Sequence, residues 1–208
     1  KELRLRAGTN DQLIGSSSNI AQLRQSVAKV APTNSRVLIT GPAGSGKDVI
    51  ARLIHEQSNR STGPFISLNC ATMQPEDFEI NLFGHEASSG GGPREIGTFE
   101  QAHMGTLFLD EVADMPLETQ GKIVRALQEQ TFQRVGGATR VEVDVRVIAS
   151  SSKDLSNEMA EGRLREDLFY RLSVVPVSAP PLKDCREDIP ELIAHFMEKM
   201  ALSNGQNP

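Results

Sequence analysis

The sequence has few cysteines, no run of basic residues and no long apolar stretch. Its two cysteines, Cys70 and Cys185, lie far apart and outside any CxxC or Cys/His spacing, which argues against a zinc site or a disulfide framework. The net charge of −5 and the lack of a basic cluster argue against direct contact of this segment with nucleic acid. No segment approaches the ~18 apolar residues that a membrane span requires, and none resembles the apolar core of a signal peptide. We therefore expect a cytoplasmic protein with reduced thiols and no membrane contact.

The length and the hydrophobic content favour one large domain with extensions at both ends. The chain has 208 residues, of which 38% are hydrophobic, enough to fill a sizeable core. The charged segment up to Asn10 and the polar ALSNGQNP at the other end are typical of linkers or frayed termini. We predict a linker over 1–12, an α/β domain over 13–180 and the truncated beginning of a helical subdomain over 181–208.

Short apolar runs alternate with helical patterns along the predicted domain. The strand candidates are Arg36–Thr40, Phe65–Asn69, Thr106–Asp110, Val143–Ala149 and Val174–Val177. The helix candidates are Ile20–Val30, Lys47–Gln57, Leu117–Gln130, Leu164–Leu172 and, after the domain, Ile189–Met200. Strands joined through helices imply right-handed crossovers and a mostly parallel sheet covered on both faces. The last helix has one apolar stripe that predicts packing against a partner, through Leu192, Ile193, Phe196 and Met200.

The first predicted strand leads into the segment GPAGSGKD, Gly41–Asp48, and then into a predicted helix. This G-x-x-x-x-G-K spacing between strand and helix is the arrangement of a phosphate-binding P-loop. Glycines let the backbone curl so that successive N–H groups face an anion at the positive end of the helix. A glycine-rich turn with a chance lysine is the alternative. The P-loop interpretation assigns phosphate contacts to Lys47 and to the loop residues Gly41, Gly44, Ser45 and Gly46.

Two acidic residues follow the third predicted strand. The segment TLFLDE places Asp110 and Glu111 at the carboxyl end of that strand, where ligands bind in open α/β sheets. Asp110 can ligate Mg²⁺, and Glu111 can act as a general base toward water. Paired acids after a strand are otherwise often a solvated turn. Downstream of a P-loop they predict a Walker B motif, with Asp110 and Asp48 assigned to the metal, although Asp48 stands where general P-loops have Ser or Thr.

An ordered set of motifs extends the similarity well beyond a P-loop. The motifs are LIG (13–15), GPAGSGKD (41–48), FISLNCA (65–71), LFGHE (82–86), GTLFLDEVADMPL (105–117), RVGG (134–137), VDVRVIA (143–149) and LREDLFYRLSVVPV (164–177). With them the chain resembles, over nearly its whole length, the central domain of NtrC-family, sigma-54-type transcriptional activators. The resemblance implies a P-loop AAA+ fold of three layers with the start of a helical lid, and ATP and Mg²⁺ as cofactors. It also implies a bacterial two-component regulator whose receiver and DNA-binding domains lie outside this chain.

The resemblance implies roles for further residues near the nucleotide. Asn69 matches the asparagine that holds the catalytic glutamate, here Glu111, although an asparagine can also simply cap a strand end. Ile14 and Gly15 match the stretch that contacts the adenine base, and their alternative is a turn before a helix. Asp48 agrees with the family, in which an acid commonly follows the P-loop lysine.

Arg165 and Arg171 in LREDLFYRL match the arginine fingers of the family. Their spacing of six places them on nearly opposite sides of a regular helix, so a bend or loop is needed to present both to one ligand. A planar guanidinium can stabilise the charge that spreads over phosphate in the transition state. The resemblance implies that they act on the ATP of a neighbouring subunit in a ring, a hexamer or heptamer. Surface salt bridges with Glu166 and Asp167 are the alternative.

Two segments depart from the family. The GAFTGA loop, which grips sigma-54, should follow LFGHE, but the sequence there reads ASSGGGPREIGTFEQA over 87–102. Its glycines predict a mobile loop, and the missing motif argues against sigma-54 remodelling; NtrX-type response regulators are similar in this respect. At sensor I, Ser152 occupies the position of an asparagine and offers a shorter hydrogen-bonding group, which predicts slow hydrolysis.

Two functions from different classes agree with these features. The first is a ring-forming ATPase within a transcriptional regulator, with RNA polymerase or a sigma factor as its candidate partner. The second is a nucleotide-gated oligomerisation switch that does not hydrolyse ATP and acts independently of sigma-54. A small-molecule kinase is disfavoured, because LREDLFYRL and LFGHE have no role in such an enzyme.

Overall fold

The computed structural model describes residues 12–87 and 93–203. The helices are α1 Ser18–Val30, α2 Lys47–Glu56, α3 Pro75–Phe83, α4 Thr98–Gln101, α5 Leu117–Glu129, α6 Leu155–Ala160, α7 Glu166–Leu172 and α8 Ile189–Ser203. The strands are β1 Val37–Thr40, β2 Phe65–Asn69, β3 Gly84–His85, β4 Glu95–Ile96, β5 Thr106–Asp110, β6 Thr131–Gln133, β7 Arg140–Glu142, β8 Arg146–Ser151 and β9 Val175–Ser178. The predicted linker except Gln12, the glycines of the predicted mobile loop, and the chain from Asn204 lie outside the described residues.

Five strands form one parallel sheet in the order β2-β5-β8-β1-β9. They correspond to the five predicted strands, which confirms the α/β class. One predicted boundary was wrong, because β8 begins at Arg146 instead of Val143 and continues to Ser151. Val143 belongs to the connection from β7, since its N–H donates to the carbonyl of Gln130 at 3.0 Å.

Helices cover both faces of this sheet, as the sequence predicted. On one face, the buried residues of α1 and α2 pack on the strands through Leu23, Val27, Val30, Ile50, Ala51 and Ile54. The other face is covered by residues of α3 to α7, among them Phe78, Leu82, Phe99, Ile123, Leu127, Leu155, Leu168 and Leu172. Successive residues of β5 alternate between the two layers, because Phe108 faces α2 while Leu107 and Leu109 face the other helices. No helix in the described ranges is long and apolar enough to cross a membrane.

Two short antiparallel ribbons, which the sequence did not predict, extend from one end of the domain. β3 pairs with β4, and β6 pairs with β7. The rings of Phe83, Phe99 and Phe132 contact one another with centroid distances of 5.4 to 6.1 Å and join α3, α4 and β6. Arg134 is 7% exposed and forms ion pairs with two carboxylates, those of Glu86 and Glu100. The ribbons are therefore fixed to the domain on both sides of the segment 88–92.

The last helix, α8, departs from its predicted packing. The helix itself is confirmed and runs to Ser203, into the segment predicted to fray. Its apolar stripe, however, remains open, with exposed fractions of 54% for Ile193, 55% for Phe196 and 64% for Met200. Leu192, the remaining residue of the stripe, is half-buried, so the packing predicted from its periodicity is only partial within the described part of the chain.

Phe99→Ala should lower the free energy of unfolding by about 3–5 kcal/mol. The ring is 1% exposed, so its loss leaves a cavity between α4 and the neighbouring aromatic rings. Leu117→Ala is the control, because Leu117 is 49% exposed at the start of α5, and a surface substitution usually stays within about 0.5 kcal/mol. Urea denaturation of both variants measures the difference, and equal effects would contradict the packing described above.

Candidate active site

The glycine loop that joins β1 to α2 has a backbone that requires glycine for two different reasons. Gly44 and Gly46 both have φ of +78°, a left-handed conformation that other residues rarely adopt. Gly41 lies against β9, where a Cβ atom would approach the carbonyl oxygen of Ala179 to 2.6 Å. The curled loop predicted from the spacing of these glycines is therefore present in the structure.

The glycine loop leads into the N-terminus of α2, where hydrogen-bond donors are available to bind an anion. Gly46 caps α2 without a side-chain hydrogen bond, so the first N–H groups of the helix remain available. The hydroxyl of Ser45 is buried and has no hydrogen-bond partner within the described residues. Buried polar groups normally have a partner. A phosphate oxygen would satisfy both the helix N-terminus and this hydroxyl.

The predicted phosphate-binding lysine and catalytic glutamate meet beside this loop. Lys47 is 6% exposed, and its Nζ lies 3.2 Å from Oε1 of Glu111. The same ammonium group donates to the carbonyl oxygens of Gly41 and Pro42 at 3.1 and 3.2 Å. A buried charge requires such partners. Lys47 and Glu111, which are 64 positions apart in the sequence, thus form an ion pair.

Glu111 stands at a turn of unusual conformation directly after β5. Its φ of 55° and ψ of 53° are left-handed, and strain of this kind concentrates at functional sites. Oε2 accepts hydrogen bonds from the backbone N–H and the hydroxyl of Ser152, at 2.7 and 2.9 Å. Burial raises the pKa of Glu111, but the hydrogen bonds from Ser152 and Lys47 outweigh this effect and lower the pKa overall. The carboxylate is therefore ionised at neutral pH.

Asp110 is held through both of its carboxylate oxygens. Oδ1 accepts from the hydroxyl of Ser150 at 2.5 Å, and Oδ2 accepts from the side-chain amide of Asn69 at 2.9 Å. Asn69 was predicted to hold Glu111, so its observed contact is a correction. The register explains it, because Asn69 and Asp110 are paired across β2 and β5, while the left-handed turn carries Glu111 toward the end of β8.

Asp110 is the carboxylate of this site that could hold a Mg²⁺ ion whose other ligands come from phosphate and water. No group of three or more His, Cys, Asp or Glu side chains among residues 12–87 and 93–203 is arranged to hold a metal ion. Mg²⁺ in nucleotide sites commonly needs one or two carboxylates, because phosphates and water supply the other ligands. Asp110 suits this role, since each carboxylate oxygen can accept more than one contact. Asp48 is exposed in the first turn of α2, and its metal role stays a prediction.

The predicted adenine stretch at Ile14 and Gly15 is held by a residue that the sequence did not single out. Asp188 is 1% exposed and accepts from the N–H groups of Ser16 and Ser17 at 2.7 and 2.8 Å. The side-chain hydrogen bond from Ser17 is the main cause that lowers the pKa of Asp188. Gly15 has φ of +130°, and a Cβ atom there would lie 2.4 Å from Cγ of Asp188. Only glycine fits this contact.

The two predicted arginine fingers lie at opposite ends of α7, one before the helix and one in its last turn. Arg165 precedes the helix as its extended N-cap, and Arg171 lies in the last turn, so the break that their spacing required is present. Arg165 pairs with Asp167 at 2.8 Å and is 48% exposed, which is the surface ion pair named as the alternative. Within the described residues neither arginine bonds to the glycine loop, Asp110 or Glu111, so the structure does not bring them into this subunit's own site.

A family comparison decides the classification of this fold and site. Residues 13–178 match the family described as the Sigma-54 interaction domain, which is most of the chain. The chain belongs to this family. The matched residues of the Sigma-54 interaction domain include the side chains that meet at the ends of β2, β5 and β8.

Similar proteins include members named NtrX. The Nitrogen assimilation regulatory protein NtrX of Azorhizobium caulinodans is 52% identical over 193 residues, which are 93% of this chain and 42% of that protein. The crystal structure of NtrX from Brucella abortus in complex with ATP is 55% identical with a TM-score of 0.86, and covers 91% of this chain and 43% of that one. A complex of the same protein with ADP has 54% identity and a TM-score of 0.90, covering 98% and 45%. The chain thus spans less than half the length of these relatives.

Ser150 and Asp188 are the residues of the site that sequence reasoning missed. The serine run at 150–152 was visible, but only Ser152 matched a family position. Asp188 contacts Ser16 across 172 positions, and no local pattern reports a contact of that range. A family motif identifies residues only at the positions that the motif contains. The contacts of Ser150 and Asp188 join residues far apart in the sequence, so they are visible only in the folded structure.

Glu111→Gln should make the protein less stable near neutral pH, with a difference from wild type that shrinks as the pH falls. Because folding lowers the pKa of Glu111, the ionised carboxylate stabilises the fold above the pKa of the unfolded chain. That contribution is lost as the pH falls through the folded pKa, which lies below the ordinary value for glutamate. Unfolding by urea between pH 7 and pH 3 measures the difference. Glu198→Gln, an exposed change in α8, is the control, and a gap for Glu111→Gln that is constant with pH would contradict the assignment.

Proposed function

We propose that this chain binds ATP with Mg²⁺ and hydrolyses it. The observation that carries the proposal is the pairing of Lys47 with Glu111 at 3.2 Å beside the glycine loop. The buried hydroxyl of Ser45, which lacks a partner among the described residues, supports a phosphate in the same place. The ATP and ADP complexes of the related NtrX support nucleotide as the ligand. Ile14 and Gly15 are the proposed contacts to adenine.

In the proposed reaction, Lys47 exchanges its carboxylate partner for phosphate oxygens. Glu111 then keeps its contact with Ser152 through Oε2, while Oε1 becomes free to polarise the attacking water. The lowered pKa of Glu111 keeps this group ionised. Asn69 and Ser150 hold the Asp110 carboxylate toward the phosphates. Bound Mg²⁺ would neutralise charge that develops during transfer of the terminal phosphoryl group.

The active form of the proposed enzyme is a homo-oligomeric ring, a hexamer or heptamer. Arg165 and Arg171 match the arginine fingers of the family, and in this proposal they act on the nucleotide of a neighbour. Arg165 would exchange its ion pair with Asp167 for phosphate, an inexpensive exchange because exposed ion pairs contribute little stability. Hydrolysis should then depend on assembly.

The proposed biological setting is a cytoplasmic bacterial two-component transcriptional regulator. Residues 13–180 would form its nucleotide-binding domain, and α8 would begin a helical lid. Receiver and DNA-binding domains are expected elsewhere in the full protein, since the chain spans 42% of its NtrX relative. The segment 87–102 does not contain GAFTGA, so RNA polymerase or another sigma factor is a better candidate target than sigma-54.

A second function, a nucleotide-gated oligomerisation switch without turnover, is favoured by one observation. Both carboxylate oxygens of Glu111 are engaged, Oε1 by Lys47 and Oε2 by Ser152. A serine is shorter than the asparagine of the family and draws Glu111 toward β8 instead of the phosphates. If this contact persists with ATP bound, the water lacks a base, and nucleotide acts only as a ligand.

ATP hydrolysis across a protein concentration series separates the two functions. For the ATPase, turnover per subunit should rise with concentration and vanish in Lys47→Ala, which removes the phosphate ligand. Arg171→Ala should reduce turnover by about 10³-fold, the lower range for loss of an arginine finger. Released phosphate is the measured product.

Lys29→Ala provides a matched control for loss of a positive charge. Lys29 is exposed at the end of α1, on the face of the sheet opposite α7, so its turnover should equal that of wild type. No turnover with intact ATP binding would contradict the ATPase and support the switch. Turnover that does not change with concentration would contradict shared sites.

A further inference from the structure

The hydroxyl of Ser150 connects the two acidic residues of the site. Ser150 is fully buried in β8. Its Oγ donates to Oδ1 of Asp110 at 2.5 Å and accepts the backbone N–H of Glu111 at 3.1 Å. One side chain thus binds the carboxylate of the first acid and the backbone of the second.

The burial of Ser150 indicates that its hydroxyl serves these contacts and not solvation. A buried hydroxyl is unfavourable unless it is hydrogen-bonded, and packing alone would be met equally well by alanine. Ser150 and Ser152 are two positions apart and both reach the acids, one at Asp110 and the other at Glu111. Ser151, between them, instead bonds to the backbone of Lys153. The serine run therefore divides into two residues that face the acids and one that does not.

The contacts of Ser150 determine which part of the Asp110 carboxylate is open. Asn69 holds Oδ2 and Ser150 holds Oδ1, so the carboxylate plane is fixed from both sides. Each carboxylate oxygen can accept more than one contact, so lone pairs remain available for a metal ion. Outer hydrogen bonds of this kind orient a metal-ligating carboxylate.

The second contact acts on the turn at Glu111. The left-handed backbone of Glu111 points its N–H at Ser150 instead of along the sheet. Without this acceptor the partly buried N–H would lose its partner among the described residues, which is unfavourable. The hydroxyl therefore helps to maintain the conformation that carries the Glu111 side chain toward Lys47.

We infer that Ser150 is a positioning residue that orients Asp110 for Mg²⁺ and fixes the turn at Glu111. The inference rests on the proposed nucleotide function and deepens it. Ser150 does not touch the nucleotide itself; it acts through Asp110. Its loss should accordingly weaken the part of nucleotide affinity that depends on Mg²⁺, whatever the loosened turn does to the affinity measured without Mg²⁺.

The test measures binding of a fluorescent ADP analogue in Mg²⁺ and, separately, in EDTA. The dissociation constant in EDTA divided by the dissociation constant in Mg²⁺ reports how much Mg²⁺ strengthens binding. This ratio requires no turnover. Ser150→Ala should reduce this ratio by about 10-fold or more, the usual effect of removing an outer partner of a metal ligand. Ser151→Ala, equally buried in the same strand, is the matched control and should keep the ratio of wild type.

Ser150→Cys keeps the test decisive if the alanine variant does not fold. The thiol nearly preserves the volume of serine but is a weak donor and acceptor, so the ratio should fall in the same direction. A wild-type ratio in a folded Ser150 variant, or an equal loss in Ser151→Ala, would overturn the inference. Failure of the wild-type chain to bind the analogue in either buffer would instead contradict the proposed function, and the inference with it.

Discussion

Parallel pairing of β5 with β2 on one side and β8 on the other brings the polar residues at the carboxyl ends of these strands to one edge of the sheet. Asn69, Asp110 and Ser150 meet there, although the chain separates them by about 40 residues at each step. In an antiparallel arrangement the same sequence positions would lie at opposite edges. The apolar layers on both faces hold the strands in this register, so packing far from the site determines its geometry.

A buried positive charge defines what this edge can bind. Lys47 is surrounded by two carbonyl oxygens and the Glu111 carboxylate, and it cannot lose these partners without replacement. A phosphate group is a chemically matched substitute. In the proposed function, competition between phosphate and Glu111 for one ammonium group links nucleotide binding to the freedom of the Glu111 carboxylate. The hydrogen bonds from Ser152 to Oε2 still restrain the Glu111 carboxylate when Lys47 binds another partner.

Much of the fold and the first layer of the site could be predicted from the sequence. Five apolar runs located the parallel strands, and the motifs around Lys47, Asp110 and Glu111 indicated the edge of the sheet where these side chains lie. The ribbons β3–β4 and β6–β7 have strands of two or three residues, too short to show a period. The partner of Asn69 could not be predicted from the sequence. The left-handed turn carries Glu111 away, so Asn69 contacts Asp110 instead. The apolar face of α8 was recognised, but periodicity alone does not identify what covers it.

A crystal structure of the chain with Mg²⁺ and a non-hydrolysable ATP analogue tests the central claim most directly. The account predicts that Nζ of Lys47 lies about 3 Å from a phosphate oxygen and that its 3.2 Å contact with Oε1 of Glu111 is broken. It also predicts Asp110 oriented toward the metal, with Asn69 and Ser150 still bound to it. An analogue bound elsewhere, or bound at the glycine loop with the Lys47–Glu111 pair intact, would contradict the account.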